Sequence, residues 1–80
     1  MVEVIFDQVF KKKFQKIKDK SVKEKIIKQI QKIKDNPEIG KPMKYSRKGT
    51  RELYISPFRL SYQIDTGLVC ILDLYHKDEQ

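Results

Sequence analysis

Arginine, histidine and tyrosine side chains suited to phosphate chemistry gather in the C-terminal half of the chain. Residues 51–64, RELYISPFRLSYQI, place Arg51 and Arg59 in runs with the composition of β-strands. A guanidinium meets a phosphate through two parallel hydrogen bonds and does not lose its proton, so Arg59 suits the stabilisation of negative charge. His76 follows the last apolar run, where an imidazole could transfer a proton or stand as an ordinary surface residue.

Two tyrosines and a basic stretch accompany these groups. Tyr54 and Tyr75 could stack on a nucleic-acid base or donate to a phosphate, and packing at a sheet edge would explain them equally well. No acidic residue lies between positions 39 and 51. This stretch suits contacts with a nucleic-acid backbone, and its candidate binding residues are Lys44, Arg47, Lys48 and Arg51.

The motifs of several common catalytic classes are missing from the sequence. There is no His-Glu-x-x-His set, no glycine-rich phosphate loop and no serine, histidine and aspartate arrangement, so we expect neither a metal site nor a cofactor. Metal-free cleavage of RNA remains feasible because the RNA supplies its own nucleophile, the 2′-hydroxyl. The protein then has to orient the backbone, neutralise the nonbridging oxygens and move two protons.

Size and charge limit the classes of protein to consider. A chain of 80 residues forms a single domain, residues 1–80, with a modest core. Its net charge of +7 favours a polyanionic partner, although a lysine-rich solvated exterior would give the same balance. The single cysteine, Cys70, excludes a disulfide framework, and no apolar stretch is long enough for a membrane span. We therefore expect a cytoplasmic protein with no membrane partner, whose cysteine is a buried core thiol.

The N-terminal half has the pattern of a strand followed by two amphipathic helices. Residues 2–6 alternate as a short strand, and Asp7 is placed to cap the first helix. SVKE at 21–24 has the form of a capping box that opens the second helix, and DNP at 35–37 ends it. The apolar stripe of the second helix is expected to consist of Val22, Ile26, Ile27, Ile30 and Ile33. Joined by a short turn, the helices are predicted to pack as an antiparallel hairpin.

Three further strands are predicted after a linker that runs from Glu38 to Arg51. Turns at SP and DTG separate them, and the glycine of DTG can adopt the positive φ that a hairpin needs. The apolar alternation of FRLSYQI must face the helices, so Arg59 projects from the uncovered face of the sheet, together with Glu52 and Tyr54 of the preceding strand. In the last strand the core positions are predicted to be Leu68, Cys70, Leu72 and Leu74.

The predicted fold class is α+β. Its order is β-α-α-β-β-β, with the helical hairpin packed on one face of a small, mostly antiparallel twisted sheet. This order and two motifs resemble the RelE/ParE superfamily of toxins: NPEIGKP after the second helix and FRLSY in the third strand. The resemblance covers nearly the whole chain. It implies the toxin of a two-component toxin–antitoxin module.

The resemblance also implies roles for particular residues. RelE-like members cut mRNA in the ribosomal A site without a metal, and Arg59 falls on the arginine that stabilises their transition state. His76 and Lys77 fall in the segment after the last strand, where many relatives have a histidine followed by basic residues. The chain departs from the nucleases at Glu52 and Tyr54, where they usually carry lysine or arginine, and it ends without the C-terminal tyrosine that some of them use.

Two functions follow as expectations. The first is a ribosome-dependent mRNA endonuclease that inhibits translation, with Arg59, His76 and Lys77 as catalytic residues and the ribosome and mRNA as partners. The alternative is a ParE-like, non-catalytic inhibitor of DNA gyrase, which Glu52 and Tyr54 favour. Both imply a cognate antitoxin, expected to be a small, more acidic chain that covers exposed apolar surface. A third hypothesis is a basic RNA-binding module that is not toxic.

Overall fold

Five strands and two helices form residues 2–43 and 49–77, the part of the chain that the computed structural model describes. In chain order the elements are β1 (Glu3–Phe6), α1 (Gln8–Lys16), α2 (Lys20–Asp35), a 3₁₀ turn (Pro37–Ile39), β2 (Lys41–Pro42), β3 (Thr50–Ile55), β4 (Phe58–Asp65) and β5 (Leu68–His76). The sheet order is β1-β5-β4-β3-β2, in which β1 runs parallel to β5 and the other neighbours are antiparallel. The α+β prediction is confirmed, and β2 adds a short strand within the predicted linker.

Aspartate side chains begin both helices. The Asp7 carboxylate accepts a hydrogen bond from the Val9 amide at 2.8 Å, which confirms the predicted cap of α1. For α2 the predicted cap at Ser21 is wrong, because Asp19 takes that role. Its carboxylate accepts from the Ser21 amide at 2.9 Å and from the Ser21 hydroxyl at 2.8 Å. An ionised carboxylate is the stronger acceptor, so the serine hydroxyl serves as a donor instead of a cap.

The core lies between the helices and one face of the sheet. Its buried apolar residues are Phe10, Ile26, Ile33, Ile55, Leu60, Tyr62, Val69, Ile71 and Leu74. The predicted alternation of β4 is confirmed, since Leu60 and Tyr62 are both fully buried. One position of the predicted α2 stripe is wrong, because Ile27 remains 46% exposed. Neither helix of the described residues is long and apolar enough to cross a membrane.

The predicted core face of β5 is correct at Leu74 and wrong before it, and a β-bulge is the reason. Opposite Ser61 and Tyr62 of β4 the register shifts by one residue, so that Leu72 has no partner in the pairing. An extra residue reverses the alternation beyond it. Val69 and Ile71 are therefore fully buried before the bulge and Leu74 after it, while Leu68, Cys70 and Leu72 are only half-buried.

Candidate functional site

The register of β3, β4 and β5 brings four side chains together on the open face, which is the face of the sheet opposite the helices. Arg59 on β4 lies between Tyr54 on β3 and Tyr75 on β5. Glu52 precedes Tyr54 by two residues and therefore shares its face. The short turn between β3 and β4 sets this register. We call Glu52, Tyr54, Arg59 and Tyr75 the Arg59 cluster.

The Glu52 carboxylate is the centre of the Arg59 cluster. Its Oε1 accepts a hydrogen bond from Arg59 Nη1 at 2.5 Å, and its Oε2 accepts one from the Tyr75 hydroxyl. The two partners of the ion pair are partly exposed, with 34% of the Arg59 side chain and 19% of the Glu52 side chain accessible. The pair is thus accessible to a ligand from the open side.

The Tyr54 ring forms the exposed edge of the cluster. The guanidinium carbon of Arg59 lies 5.9 Å from the ring centroid, within the range of a cation–π interaction. Half of the Tyr54 residue is exposed, at 50%. One ring face therefore supports the guanidinium, and the exposed part of the ring is suited to stacking with a planar ligand.

Arg59 retains hydrogen-bonding capacity beyond its ion pair. A guanidinium carries about five N–H donors. Arg59 Nε is buried and has no hydrogen-bond partner among the described residues. Together the cluster offers a permanent cation, a carboxylate, a phenol and an aromatic surface. Within residues 2–43 and 49–77 no three histidine, cysteine, aspartate or glutamate side chains group together to hold a metal ion.

The structure does not bring His76 to Arg59. His76 pairs across the strands with Phe58, and the two rings meet edge to face with centroids 5.8 Å apart. Phe58 packs against the core, so His76 lies on the helix side of the sheet while its neighbour Tyr75 lies on the open face. There it lines a groove of about 500 Å³ together with side chains from the turn between the helices. Lys77 follows it as an exposed residue.

Arg51 also lies on the helix side of the sheet, where it contacts backbone. Its Nη1 donates to the Gly40 carbonyl at 2.6 Å and to the Glu38 carbonyl at 3.1 Å. These contacts attach β3 to the segment that follows α2. The other three predicted binding residues of the basic stretch, Lys44, Arg47 and Lys48, lie outside the described residues.

Tyr62 completes this attachment from β4. Its hydroxyl donates to the Pro37 carbonyl at 2.7 Å and accepts from the Gly40 amide at 2.9 Å. Burial raises the pKa of this phenol above its ordinary value, so the hydroxyl keeps the proton that it donates. We call Pro37, Gly40, Arg51 and Tyr62 the Tyr62 clasp. The clasp holds the chain on the approach to the basic stretch.

Sequence reasoning found three members of the Arg59 cluster and missed the part played by Glu52. The alternation of β3 placed Glu52 on the open face, where it was interpreted as a departure from the nucleases that favours the gyrase inhibitor. The signal that connects it to Arg59 is the two-residue turn, which makes the two residues diagonal neighbours. The Tyr62 clasp has no such local signal, because its members are up to 25 residues apart.

Comparison with known proteins assigns the family. The family model of the ParE toxin of type II toxin–antitoxin systems (parDE) matches residues 4–80. The chain belongs to the ParE toxin family. It is therefore the toxin of a toxin–antitoxin module, which confirms the resemblance to the RelE/ParE superfamily. A search of the curated proteins finds no match.

Solved structures of toxins share the fold of this ParE-family toxin. The isolated Escherichia coli RelE toxin matches with a TM-score of 0.84 at 19% identity, over 100% of this chain and 88% of that chain. A YoeB/ParE toxin from Agrobacterium tumefaciens matches with a TM-score of 0.80 at 18% identity, over 94% and 98%. The Staphylococcus aureus YoeB dimer matches with a TM-score of 0.79 at 20% identity, over 94% and 95%.

Proposed function

We propose that this ParE-family toxin is a ribosome-dependent mRNA endonuclease that cuts by attack of the RNA 2′-hydroxyl on the adjacent phosphorus. The observation that supports this best is the Arg59 cluster, in which a cation, a proton-accepting group and a stacking ring meet on an uncovered sheet face. Arg59 would stabilise the negative charge that develops on the nonbridging oxygens, since its planar fork matches two of them. Tyr54 would stack on a base next to the cut.

Charge and fold are consistent with a nucleic-acid target. The net charge of +7 favours association with RNA, and binding should weaken steeply as salt rises. The basic stretch is proposed to contact the RNA backbone through Lys44, Arg47 and Lys48, because the Gly40 and Glu38 carbonyls hold Arg51 on the helix side. His76 and Lys77 lie at the end of β5, so a proton-transfer role for His76 requires the substrate to pass around that end of the strand.

Cleavage of ribosome-bound mRNA, mapped by primer extension, tests this function. Wild type and Arg59→Ala are compared at equal concentration of folded protein. We expect cuts within codons for wild type and a loss of roughly 10²–10³-fold for Arg59→Ala, because a positioned donor to the developing charge is removed. Lys28→Ala is the matched control, since it also removes one cation but lies exposed on α2. Equal cutting by Arg59→Ala would remove Arg59 from the mechanism.

A second candidate is the ParE-like, non-catalytic inhibitor of DNA gyrase. The ion pair between Glu52 and Arg59 favours it, because the carboxylate partly cancels the cation that a nuclease would present to a phosphate. The separation of His76 from Arg59 by the sheet points the same way. In this function the open face would bind a protein surface instead of RNA.

Expression in cells, followed by two readouts, separates the two candidates. Rapid loss of protein synthesis with cut mRNA supports the nuclease, and DNA damage with continuing synthesis supports the inhibitor. A purified gyrase supercoiling assay gives the direct check, because only the inhibitor should reduce supercoiling. Harmless expression in both readouts would favour the basic RNA-binding module.

The proposed partner in either case is a cognate antitoxin. Several of the similar solved structures are complexes, among them E. coli RelBE and S. aureus YoeB-YefM, each described as a toxin-antitoxin complex. On this chain, an apolar groove of about 250 Å³ lies beside the lysine-rich helix surfaces. It is lined by Phe6, Phe10, Phe14, Ile27 and Ile30. An acidic, amphipathic segment of the antitoxin would bury this groove and pair with the lysines. Ile27→Glu should weaken the complex without unfolding the toxin.

A further inference from the structure

The Glu52 carboxylate is the most unexpected group on a surface that is proposed to bind RNA. A negative charge there repels phosphates, and its ion pair with Arg59 is partly exposed, a setting in which a pair contributes only about 0–1 kcal/mol to stability. Stability alone is therefore a weak reason for its place in the Arg59 cluster. The alternative is that the carboxylate takes part in the reaction.

The geometry leaves the carboxylate able to accept a proton. A carboxylate has about four acceptor positions on its two oxygens. Arg59 Nη1 occupies one position on Oε1 and the Tyr75 hydroxyl occupies one on Oε2. Both neighbours are donors, so they orient the carboxylate, and about two of its acceptor positions remain for a further donor.

The remaining titratable groups near the cluster are less suited to accept this proton. Tyr75 acts as a donor to Glu52, and His76 lies on the other side of the sheet. Asp73, on the neighbouring strand, forms an ion pair with Lys13 at 2.9 Å. Among the described residues Glu52 is thus the carboxylate in direct contact with the guanidinium that would hold the phosphate.

We propose that Glu52 is the general base of RNA cleavage, an inference that rests on the nuclease function proposed above. Glu52 accepts the proton of the 2′-hydroxyl as the 2′ oxygen forms its bond to phosphorus. The bond from phosphorus to the 5′ oxygen breaks, and that oxygen takes a proton from water. Glu52 then returns its proton to solvent, so protons balance. The products carry a 2′,3′-cyclic phosphate and a 5′-hydroxyl.

Arg59 has two roles in this arrangement. Its Nη1 orients the Glu52 carboxylate, and N–H donors outside that ion pair would bind the phosphate beside the carboxylate. The guanidinium would therefore set the distance between the base and the reacting group as well as stabilise the transition state. This explains why the Arg59 cluster contains a carboxylate beside its arginine and not cationic side chains alone.

Single-turnover cleavage of ribosome-bound mRNA tests the inference with Glu52→Gln. Loss of general-base catalysis should slow cleavage by roughly 10²–10⁴-fold, while co-sedimentation with ribosomes stays within about twofold of wild type. Glu24→Gln is the matched control, because it removes an exposed carboxylate from α2 and raises the net charge equally. Circular dichroism confirms that each variant is folded.

A second variant keeps the test decisive if the glutamine distorts the cluster. Glu52→Ala removes the carboxylate, and added formate, compared with chloride at equal ionic strength, should restore at least about tenfold of the lost rate. Three results would each overturn the proposal. Glu52→Gln could cut at a rate close to that of wild type, or its cleavage could fall in proportion to its ribosome binding. The third result is that formate fails to restore cleavage by Glu52→Ala. A wild-type protein that cuts no mRNA overturns the nuclease function itself, and the inference with it.

Discussion

Arg51 and Arg59 lie on neighbouring strands, but they face opposite sides of the sheet and bind different kinds of partner. Arg51 faces the helix side and donates to two backbone carbonyls, at 2.6 and 3.1 Å, within the Tyr62 clasp. Arg59 faces the open side and pairs with a side chain, the Glu52 carboxylate. A carbonyl of the main chain cannot move away without disturbing the fold, whereas a carboxylate can change rotamer. The first arginine therefore stabilises the structure, and the second is able to exchange its partner for a ligand.

The same comparison distinguishes the two regions around these arginines. The Tyr62 clasp is a network of backbone groups with buried Tyr62 at its centre, so each lost contact should appear as lost stability. The Arg59 cluster is made of side chains on an accessible face, so its losses should appear in activity instead. Three experiments, from the largest expected effect to the smallest, test this division, and a fourth, with the smallest effect, tests the cap of α2.

The largest effect is expected for Arg59→Lys. Lysine keeps the charge but lacks the planar fork that can bind a carboxylate and a phosphate together. Cleavage should fall roughly 10²-fold, with the free energy of unfolding changed by less than about 1 kcal/mol. Single-turnover cleavage and urea unfolding measure the two quantities. A large loss of stability would place Arg59 with Arg51 among the structural residues.

Substitution of Gly40 by alanine should give the largest loss of stability. A Cβ atom at this position would lie 2.6 Å from the Tyr62 hydroxyl oxygen and 2.9 Å from the backbone oxygen of Glu52. The backbone cannot retreat easily, so we expect a loss of roughly 1–3 kcal/mol in the free energy of unfolding by urea. The same substitution should cost less in a Tyr62→Phe background, where one clashing atom is gone. Strictly additive effects would contradict the clasp.

Arg51→Met and Arg59→Met compare the two arginines directly. The first leaves the Gly40 and Glu38 carbonyls without their donor, and we expect a loss of roughly 1–2 kcal/mol. The second removes a partly exposed ion pair, for which about 0–1 kcal/mol is expected. Thermal and urea unfolding of both variants at one pH and ionic strength decide the order. The reverse order would mean that the open face carries more of the stability.

The smallest effect concerns the cap of α2. The Ser21 hydroxyl, then the amides of Ser21 and Val22, hold the pKa of Asp19 below its ordinary value of 3.8. A carboxyl with a lowered folded pKa contributes stability above the unfolded value and loses that contribution as the pH falls through the folded value. Wild type should therefore lose its advantage over Asp19→Asn below about pH 4, since asparagine caps without titrating. Melting temperatures between pH 2 and pH 7 measure this.

Local patterns in the sequence were enough to predict much of the fold and part of the site. The alternation of β4 placed Arg59 on the open face, and the glycine in the turn before β5 has the expected positive φ of 67°. The bulge in β5 was not predicted because the extra residue, Leu72, is as apolar as the core residues Ile71 and Leu74 on either side of it. The cap of α2 escaped because Asp19 and Ser21 are both good caps, and only their competition in the folded chain decides.

Neighbouring residues determine the strand period, the helix caps and the turn length. These local properties determined the order of elements and the face on which the guanidinium of Arg59 lies. The choice between partners belongs to the tertiary structure. Arg59 meets a carboxylate only 7 residues away across the short turn, whereas the carbonyls that Arg51 meets are 11 and 13 residues away, on a segment that only the folded chain brings across from it. The position of that segment follows from the packing of the whole sheet against the helices, because no local pattern encodes contacts between residues far apart in the chain.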